Sequence, residues 1–419
     1  LTREIAAEAG LAVDEAAFHV EMTKQRERAR AERLAKDISG WSADLFGELT
    51  AEATQFDGYD TLSESAKVIA LSDGEELADA IATDEAGESK DGVLVVLDRT
   101  PFYAEMGGQV ADHGYITNGD AKLKVTQVKK TPKGYFVHTC ELLDGTIHVG
   151  DEVTASVDTQ RRMAICRNHT ATHLLQKALR EVLGEHVHQA GSYQDDKLTH
   201  FDFTHFSAVT PEELRKVEDR VNEKIFEALP VTIQNLPIEE AKKMGAMALF
   251  GEKYGSVVRV VDAGGWSTEF CGGTHVTNTA QIGCFKILSE SSVAAGIRRI
   301  EATTAYGVLN LLDERTEQLA KTAVALKANN LKDAPARAEA LTAELKETNK
   351  QLDILKAEMA SAKIDGLFEN AADIDGVRIV SAYLTGTGAD TLRDMVDKVR
   401  DKAPNAVTVL IGSDGSKTM

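Results

Sequence analysis

The stretches that decide the fold are His169-Thr170-Ala171-Thr172-His173 and Cys271-Gly272-Gly273-Thr274-His275. Each places two metal-binding side chains four positions apart, and on a helix this spacing brings both to one face, with Cβ atoms about 5–6 Å apart. Imidazole and thiolate are donors that Zn²⁺ prefers in proteins. The two glycines of the second stretch allow the backbone to turn closely around an ion. We therefore predict one zinc site with the ligands His169, His173, Cys271 and His275.

Two other interpretations of this metal site have to be considered. A metalloprotease helix carries a glutamate directly after its first histidine as the general base, but Thr170 occupies that position here. The sequence therefore argues against this class of peptidase. A closed structural site, in which all four ligands bind the metal, remains an alternative to a catalytic site with one position left for water or substrate.

Composition and charge limit the classes of function. The chain has 419 residues and a formal net charge of −20, whereas binding to phosphates depends on Lys and Arg. Basic residues are clustered locally, however, and we predict RNA contacts at Arg161, Arg162, Arg298 and Arg299. The four cysteines are too sparse for a disulfide framework, and no apolar run reaches the roughly 18 residues of a membrane span. We expect a cytoplasmic protein without a membrane partner.

The hydrophobic pattern predicts a multi-domain α+β protein. Residues 51–160 contain short alternating runs typical of a small β-barrel. A helix is predicted at Arg161–Leu183, and the Cys271 motif is expected to begin a second helix facing it. Apolar repeats on both sides of Pro335 favour an antiparallel coiled-coil hairpin, with a plain helical linker as the alternative. The predicted segments are a helical tail (1–50), the barrel (51–160), an α+β zinc-binding core (161–306), the hairpin (307–365) and the truncated start of an α/β module (366–419).

A glycine-rich loop within the predicted barrel indicates what the metal could be used for. Gly107 and Gly108 permit positive φ and close approach to a ligand, so we assign them to a substrate loop. Gln109 follows them and offers both a hydrogen-bond donor and an acceptor that could orient a water molecule. This chemistry suits ester hydrolysis. The alternative is a tight turn between two strands, with Gln109 exposed to solvent.

These motifs together resemble a known family. The Gly-Gly-Gln loop, the two metal motifs and Gly296-Ile297-Arg298-Arg299-Ile300-Glu301-Ala302 are similar to the editing region of the alanyl-tRNA synthetase family, and the resemblance covers essentially the whole chain. It implies a zinc-dependent deacylase that hydrolyses alanine tRNA mischarged with serine or glycine. It also implies alanine tRNA as the partner and a possible homodimer through the C-terminal module.

The resemblance leads to three further expectations. The family's adenylate-forming domain is not in this sequence, so we expect a piece of a longer ATP-dependent ligase that does not itself activate alanine. Gln109 and Thr172 are the candidate catalytic residues, which would recognise the serine hydroxyl and place the attacking water; Thr172 could equally be an inert helix residue. The alternative function is a non-catalytic tRNA-clamping and dimerisation module with a structural zinc.

Overall fold

The computed structural model describes residues 45–83, 88–245, 255–369, 371–413 and 417–419, together with positions 10, 17, 22 and 24. The helical tail predicted for residues 1–50 lies almost entirely outside the described residues. The chain divides into two compact units, Leu1–Leu311 and Leu312–Met419. Helices and mostly antiparallel sheets are mixed along the chain, which confirms the α+β class. Within the described residues no helix is long and apolar enough to cross a membrane.

Residues 63–157 of the larger unit form a barrel. Six strands close into a ring in the order β10-β7-β8-β9-β5-β2, because β10 also pairs with β2. Side chains alternate across each strand, so that Leu123 and Val125 of β8 are fully buried inside the ring while Lys122 and Lys124 are exposed. The predicted barrel is confirmed. The strands described here are β1 (Gln55–Phe56), β2 (Ser63–Ser72), β3 (Leu77–Ala78), β4 (Ala80–Ala82), β5 (Lys90–Leu97), β6 (Arg99–Thr100), β7 (Gly114–Thr117), β8 (Ala121–Lys130), β9 (Phe136–His148) and β10 (Glu152–Val157).

Helix α1 (Thr159–Leu183) follows the barrel directly and carries the first histidine pair. Asp158 caps its N-terminus by accepting a hydrogen bond from the Arg161 N–H, and Gly184, at φ 115°, ends it. The helix predicted for residues 161–183 is therefore confirmed. Its apolar face is completely buried at Ile165, Leu174, Leu175, Ala178 and Leu179. Burial of this face fixes the rotation of the helix and so the direction of its histidines.

Two antiparallel sheets contact helix α1. One has the strand order β11-β12-β17-β16, and the other has the order β13-β14-β15. Phe201 and Ile300 of the first sheet are fully buried in a core shared with the apolar face of α1. The elements are β11 (Gln189–Gln194), β12 (Thr199–Thr204), α2 (Pro211–Phe226), β13 (Val231–Pro237), α3 (Ile238–Lys243), β14 (Val257–Ala263), β15 (Ser267–Phe270), β16 (Phe285–Ala294) and β17 (Ile297–Thr304).

The prediction that the Cys271 motif begins a helix is wrong. This motif lies in an irregular loop between β15 and a short 3₁₀ turn at Thr279–Ile282. Glycine is among the weakest helix formers, and two of the five residues are Gly272 and Gly273. In addition, the Cys271 N–H donates to the Arg259 carbonyl at 3.0 Å, which continues the β14–β15 ladder. Cys271 and His275 therefore reach the same site from a loop, although their four-residue spacing is typical of a helix.

The second unit contains long helices and a small sheet. Strands β19 and β20 are parallel and are connected by α6, as the predicted β-α-β pattern requires, and β18 adds an antiparallel edge. Helix α5 has Pro335 in its first turn, where the missing N–H costs no hydrogen bond. The pairing of α4 with α5 stays a prediction. The elements are α4 (Tyr306–Ala325), α5 (Ala334–Glu369), β18 (Ala372–Ile374), β19 (Val377–Thr385), α6 (Ala389–Lys402) and β20 (Ala406–Ser413).

Candidate metal centre

The four predicted ligands converge on one point. His169 and His173 project from α1, and Cys271 and His275 come from the loop after β15; one ligand atom of each lies within 4.8 Å of all the others. The Cys271 Sγ is 3.3 Å from the Nε2 atoms of both His169 and His275. Two segments about a hundred residues apart in the chain thus meet at a single site.

The tautomer of His169 is fixed by Gln109. The Gln109 side chain is completely buried, and its Oε1 accepts a hydrogen bond from the Thr274 backbone N–H at 2.8 Å. The same Oε1 lies 2.8 Å from His169 Nδ1, so Nδ1 must carry the proton and donate it. The His169 Nε2 lone pair then points toward Cys271. An amide oxygen that holds the second nitrogen of a histidine is a common arrangement around metal ligands.

The tautomer of His275 is fixed in the same way by Thr170. The Thr170 hydroxyl donates its proton to the Cys166 carbonyl at 2.8 Å, and its oxygen lies 3.1 Å from His275 Nδ1. Because that proton is already used, Nδ1 must be the donor of the second bond. The Nε2 of His275 is therefore also left with a lone pair directed toward Cys271.

The electrostatics of the site favour neutral imidazoles. Burial lowers the pKa of His173 to about 3 and the pKa values of His169 and His275 well below their ordinary value, with the positive charge of Arg259 as a further cause in each case. Burial raises the pKa of the Glu269 carboxyl to about 8, and this group lies 3.6 Å from His173 Nε2. At neutral pH the three imidazoles therefore have lone pairs available to a cation.

The donor set fits zinc. Three neutral imidazoles and one thiolate make up the N and S ligands of a tetrahedral zinc site, whereas Mg²⁺ and Ca²⁺ prefer oxygen. The Gly273 N–H donates to the Cys271 sulfur at 3.4 Å, which orients that side chain within the loop. These four residues could together hold one zinc ion.

The Gly-Gly-Gln loop is a tight turn that also belongs to the site. Met106 and Gln109 exchange backbone hydrogen bonds across Gly107 and Gly108, whose φ values are 63° and 87°. A Cβ at Gly108 would lie 2.5 Å from the Ser192 carbonyl oxygen of β11, so the turn can approach that strand closely only with glycine. The tight turn is confirmed, whereas the expectation that Gln109 is exposed to solvent within such a turn is wrong. The roles of Gly107, Gly108 and Gln109 toward a substrate stay predictions.

Among the hydrogen bonds that the structure describes, those of Thr172 go to its own helix and to β12, and none goes to a predicted metal ligand. Its hydroxyl donates to the Asn168 carbonyl at 2.8 Å and is 2.7 Å from the Thr199 hydroxyl of β12. The threonine that contacts a ligand is Thr170, which sequence reasoning did not single out although it lies within the same motif. A role for Thr172 in the chemistry stays a prediction.

Each of the four arginines predicted to contact RNA is paired with a carboxylate. Arg162 is 3% exposed and bonded to Asp112, which leaves it no surface for RNA, so we no longer include it among the RNA contacts. The other three lie closer to the surface and keep their predicted role as a proposal. Their partners are Asp196 for Arg161, Glu290 for Arg298 and Asp202 for Arg299.

Two residues near the metal centre, Arg259 and Tyr59, could not be predicted from a sequence motif. Arg259 of β14 donates from Nη1 to the carbonyls of Cys271 and Gly273, both at 2.8 Å, and its Cζ lies 4.1 Å from the centroid of the Tyr59 ring. The Tyr59 hydroxyl in turn donates to the Gly272 carbonyl at 2.5 Å. Burial raises the pKa of the Tyr59 phenol, so it remains a donor at neutral pH. Neither residue lies in a recognisable motif, and only the fold brings them to the ligand loop.

The two glycines of the ligand loop provide a matched pair of variants. A Cβ at Gly273 would lie 2.0 Å from His169 Cε1, whereas a Cβ at Gly272 would have no atom within 4 Å. We expect Gly273→Ala to displace His169 and to weaken zinc binding at least about 10-fold, since disturbed support of a ligand typically costs 10–100-fold. Gly272→Ala should stay within about twofold of the parent chain. Zinc titration against a chromophoric chelator checks both; equal affinities for the two variants would contradict the close packing of Gly273 on the imidazole.

Removal of the Gln109 amide is expected to weaken metal binding without removing a ligand. Gln109→Leu keeps the size of the side chain but removes the acceptor of the His169 Nδ1–H bond, so zinc affinity should fall roughly 10–100-fold. Gln127→Leu, at a partly exposed position on β8, is the control and should leave zinc affinity unchanged. The same chelator competition measures both variants. An unchanged affinity in Gln109→Leu would show that the imidazole is oriented by other contacts.

Comparison with known families agrees with this geometry. Residues 1–161 match the family described as tRNA synthetases class II (A), and residues 258–301 match the Threonyl and Alanyl tRNA synthetase second additional domain. The second match contains the whole Cys271 motif and the Arg298–Arg299 pair. The barrel, the α+β core and its donor cluster thus define a class II synthetase module with the second additional domain.

Curated relatives identify the family. Similar chains include the alanine–tRNA ligase of Acetivibrio thermocellus, 46% identical over 418 residues, which are 100% of this chain and 47% of the relative. That of Shouchella clausii is 44% identical over 417 residues, with 100% and 47% covered, and that of Bacillus velezensis is 45% identical over 410 residues, with 98% and 46% covered. The chain belongs to the alanyl-tRNA synthetase family, and it spans about half the length of the curated relatives it matches.

Proposed function

We propose that the chain hydrolyses the ester bond of alanine tRNA that carries serine or glycine, as the editing part of an alanine–tRNA ligase. The observation that carries this proposal is the convergence of His169, His173, Cys271 and His275 on one point, with the tautomers of two imidazoles fixed by Gln109 and Thr170. An inert surface cluster would not need such oriented support. A cavity borders the same cluster at His275.

The chain's own residues prepare the site for a metal. His169, His173, Cys271 and His275 would hold zinc, which would supply Lewis-acid chemistry, either anchoring the amino group of the substrate or lowering the pKa of a bound water to about 7. Gln109 contributes through His169 in this proposal, because its Oε1 and Nε2 are both bonded within the protein. His169 and His173 are buried, and a substrate that fills the space beside His275 would exclude bulk water and strengthen electrostatic interactions with the bound ester.

A second, hydrolytic site is needed because a binding site for alanine discriminates poorly. Glycine lacks one methyl group, and a missing methylene changes binding by only about 1–3 kcal/mol. Serine adds a hydroxyl, which an apolar pocket rejects weakly. A separate site that offers hydrogen bonds to the hydroxyl can select serine for hydrolysis. Thr172 is our candidate for that contact; its buried hydroxyl would exchange its bond with the Thr199 hydroxyl for one with the serine hydroxyl.

The experiment that tests the proposed function is a time course of serine release from alanine tRNA charged with serine, with zinc content measured on the same sample. We expect multiple turnovers by the zinc-loaded chain and slower release after removal of zinc by a chelator. Alanine tRNA charged with alanine is the control substrate and should be hydrolysed much more slowly. Tight binding of the seryl ester without turnover would instead support the clamping module with a structural zinc.

A further inference from the structure

The ligand loop after β15 is held at three consecutive carbonyls by two side chains from other elements. Arg259 Nη1 of β14 donates to the carbonyls of Cys271 and Gly273, both at 2.8 Å. The Tyr59 hydroxyl donates to the Gly272 carbonyl between them at 2.5 Å. Because the Arg259 guanidinium also lies over the Tyr59 ring, at 4.1 Å from its centroid, the two side chains stabilise each other by a cation–π contact.

One peptide group of this loop connects Tyr59 to the sulfur ligand. The Gly272 carbonyl and the Gly273 N–H belong to the same peptide group, which is planar, so that its C=O and N–H bonds point in opposite directions. The carbonyl accepts from the Tyr59 hydroxyl, and the N–H donates to the Cys271 Sγ at 3.4 Å. A peptide group that is held at its oxygen also has the direction of its N–H fixed. The Tyr59 hydroxyl therefore acts on Cys271 through this peptide group.

The next peptide group connects Arg259 to a histidine ligand. The Gly273 carbonyl accepts from Arg259, and the Thr274 N–H of the same peptide group donates to Gln109 Oε1 at 2.8 Å. The same oxygen accepts a hydrogen bond from His169 Nδ1, also at 2.8 Å. Hydrogen bonds in such a series polarise one another, so each depends on the others. The orientation of His169 is thus linked to Arg259, although the two side chains belong to different elements.

Tyr59 reaches the ligand loop because the segment that carries it is fixed to the rest of the larger unit. Arg162 Nη1 of α1 donates to the Gly58 carbonyl at 2.6 Å. A Cβ at Gly58 would lie 2.1 Å from the Pro101 carbonyl oxygen, so only glycine allows this close packing. Tyr59 and Gly272 are 213 positions apart in the chain. Their hydrogen bond therefore joins the barrel side of the unit to the loop that carries Cys271.

We propose that Tyr59 and Arg259 are positioning residues of the metal centre, which orient Cys271 and His169 through two successive peptide groups of the ligand loop. Neither residue is a metal ligand in this arrangement. The inference rests on the metal site of the proposed function and not on hydrolysis of the ester. It makes the geometry of the sulfur ligand depend on a hydroxyl group that comes from the barrel side of the unit.

The first test uses cobalt(II) as a coloured substitute for zinc in the full chain. Tyr59→Phe keeps the ring beside Arg259 and removes only the hydroxyl. We expect its thiolate-to-cobalt charge-transfer band to shift, because hydrogen bonding around a thiolate ligand tunes the metal–sulfur bond. Zinc affinity should fall about 3–10-fold, the usual effect of one hydrogen bond. Tyr135→Phe is the matched control, since that hydroxyl donates to the Ala51 carbonyl at 2.6 Å and should change neither quantity.

The second test uses double variants to separate the two connections. Arg259→Met and Gln109→Leu interrupt the same series of hydrogen bonds, so the zinc affinity lost by the double variant should be smaller than the product of the two single losses. Tyr59→Phe and Gln109→Leu interrupt different series, and their losses should multiply to within about twofold. Competition with a chromophoric chelator measures all of these affinities.

Three results would overturn the proposal. The first is an unchanged charge-transfer band and an unchanged zinc affinity in Tyr59→Phe. The second is an equal change in Tyr135→Phe, which would indicate a general effect on the barrel. The third is a full product of the single losses in the double variant of Arg259 and Gln109. The proposed function fails separately, if the parent chain binds zinc and shows the cobalt band but releases no serine from seryl-tRNA.

Discussion

Cys271→Ala and His169→Ala are each expected to lose stoichiometric zinc and to slow serine release from seryl-tRNA at least about 100-fold. Changes that only disturb the support of a metal ligand already cost roughly 10–100-fold, and these variants remove a ligand outright. The remaining three donors would hold a weakly bound ion with one position open to water. Metal analysis by mass spectrometry and a serine-release time course at saturating enzyme measure the two effects on the same preparations.

The chain offers matched controls for both residue types. Cys284 is exposed and lies outside the cluster, and His148 is exposed and paired only with Asp151 among the described ion pairs. Cys284→Ala and His148→Ala should therefore keep one zinc per chain and the parent rate. Full activity in Cys271→Ala or His169→Ala would contradict the assigned metal centre. Full zinc content with lost activity would assign the residue to the chemistry instead of to metal binding.

Arg162→Met is expected to lower the free energy of unfolding of the larger unit by about 3–5 kcal/mol, because it leaves the Asp112 carboxylate buried without its counter-charge. The Arg162 Nε atom lies 2.9 and 3.0 Å from the two Asp112 oxygens, and the guanidinium also donates to the carbonyls of Gly58 and Pro101. Arg162 thereby connects α1 to two loops of the barrel. Chemical denaturation followed by circular dichroism measures the change.

An exposed ion pair supplies the comparison. Arg215 and Asp219 of α2 are 70% and 62% exposed, and Arg215→Met should cost less than about 1 kcal/mol. The double variant Arg162→Met, Asp112→Leu should recover part of the lost stability, since no unpaired charge remains buried. Recovery should be incomplete, because Asp112 also accepts a hydrogen bond from the Tyr103 N–H. If Arg162→Met lowers the free energy of unfolding by no more than Arg215→Met does, the Arg162–Asp112 ion pair does not stabilise the contact between the barrel and helix α1.

Local patterns in the sequence predicted the elements that depend on periodicity. Alternation along residues such as Lys122, Leu123 and Lys124 is sufficient to predict a barrel strand, and the apolar spacing of α1 is sufficient to predict a helix. The cluster of His169, His173, Cys271 and His275 could be predicted because histidine and cysteine are rare and are paired at a recognisable spacing. The barrel, helix α1 and the convergence of the two motifs can therefore be predicted from the sequence.

Features that depend on contacts between distant segments could not be predicted from the sequence. The Cys271 motif has the same spacing as the histidine pair, but two glycines and the continuation of the β14–β15 ladder make it a loop. The local basic cluster predicts an RNA contact at Arg162, because the sequence does not show that the distant Asp112 is its partner. The positions of Arg259 and Tyr59 beside the metal centre could not be predicted for the same reason, since both residues contact a loop that is distant in sequence or belongs to no motif with them.

X-ray absorption at the zinc edge of the purified chain tests the central claim most directly. We predict one zinc per chain bound by three nitrogen donors at about 2.0–2.1 Å and one sulfur donor at about 2.3 Å, with the sulfur contribution absent in Cys271→Ala. Zinc bound only by nitrogen and oxygen in the parent chain, or no stoichiometric zinc after reconstitution, would contradict the convergence of His169, His173, Cys271 and His275 on a single ion.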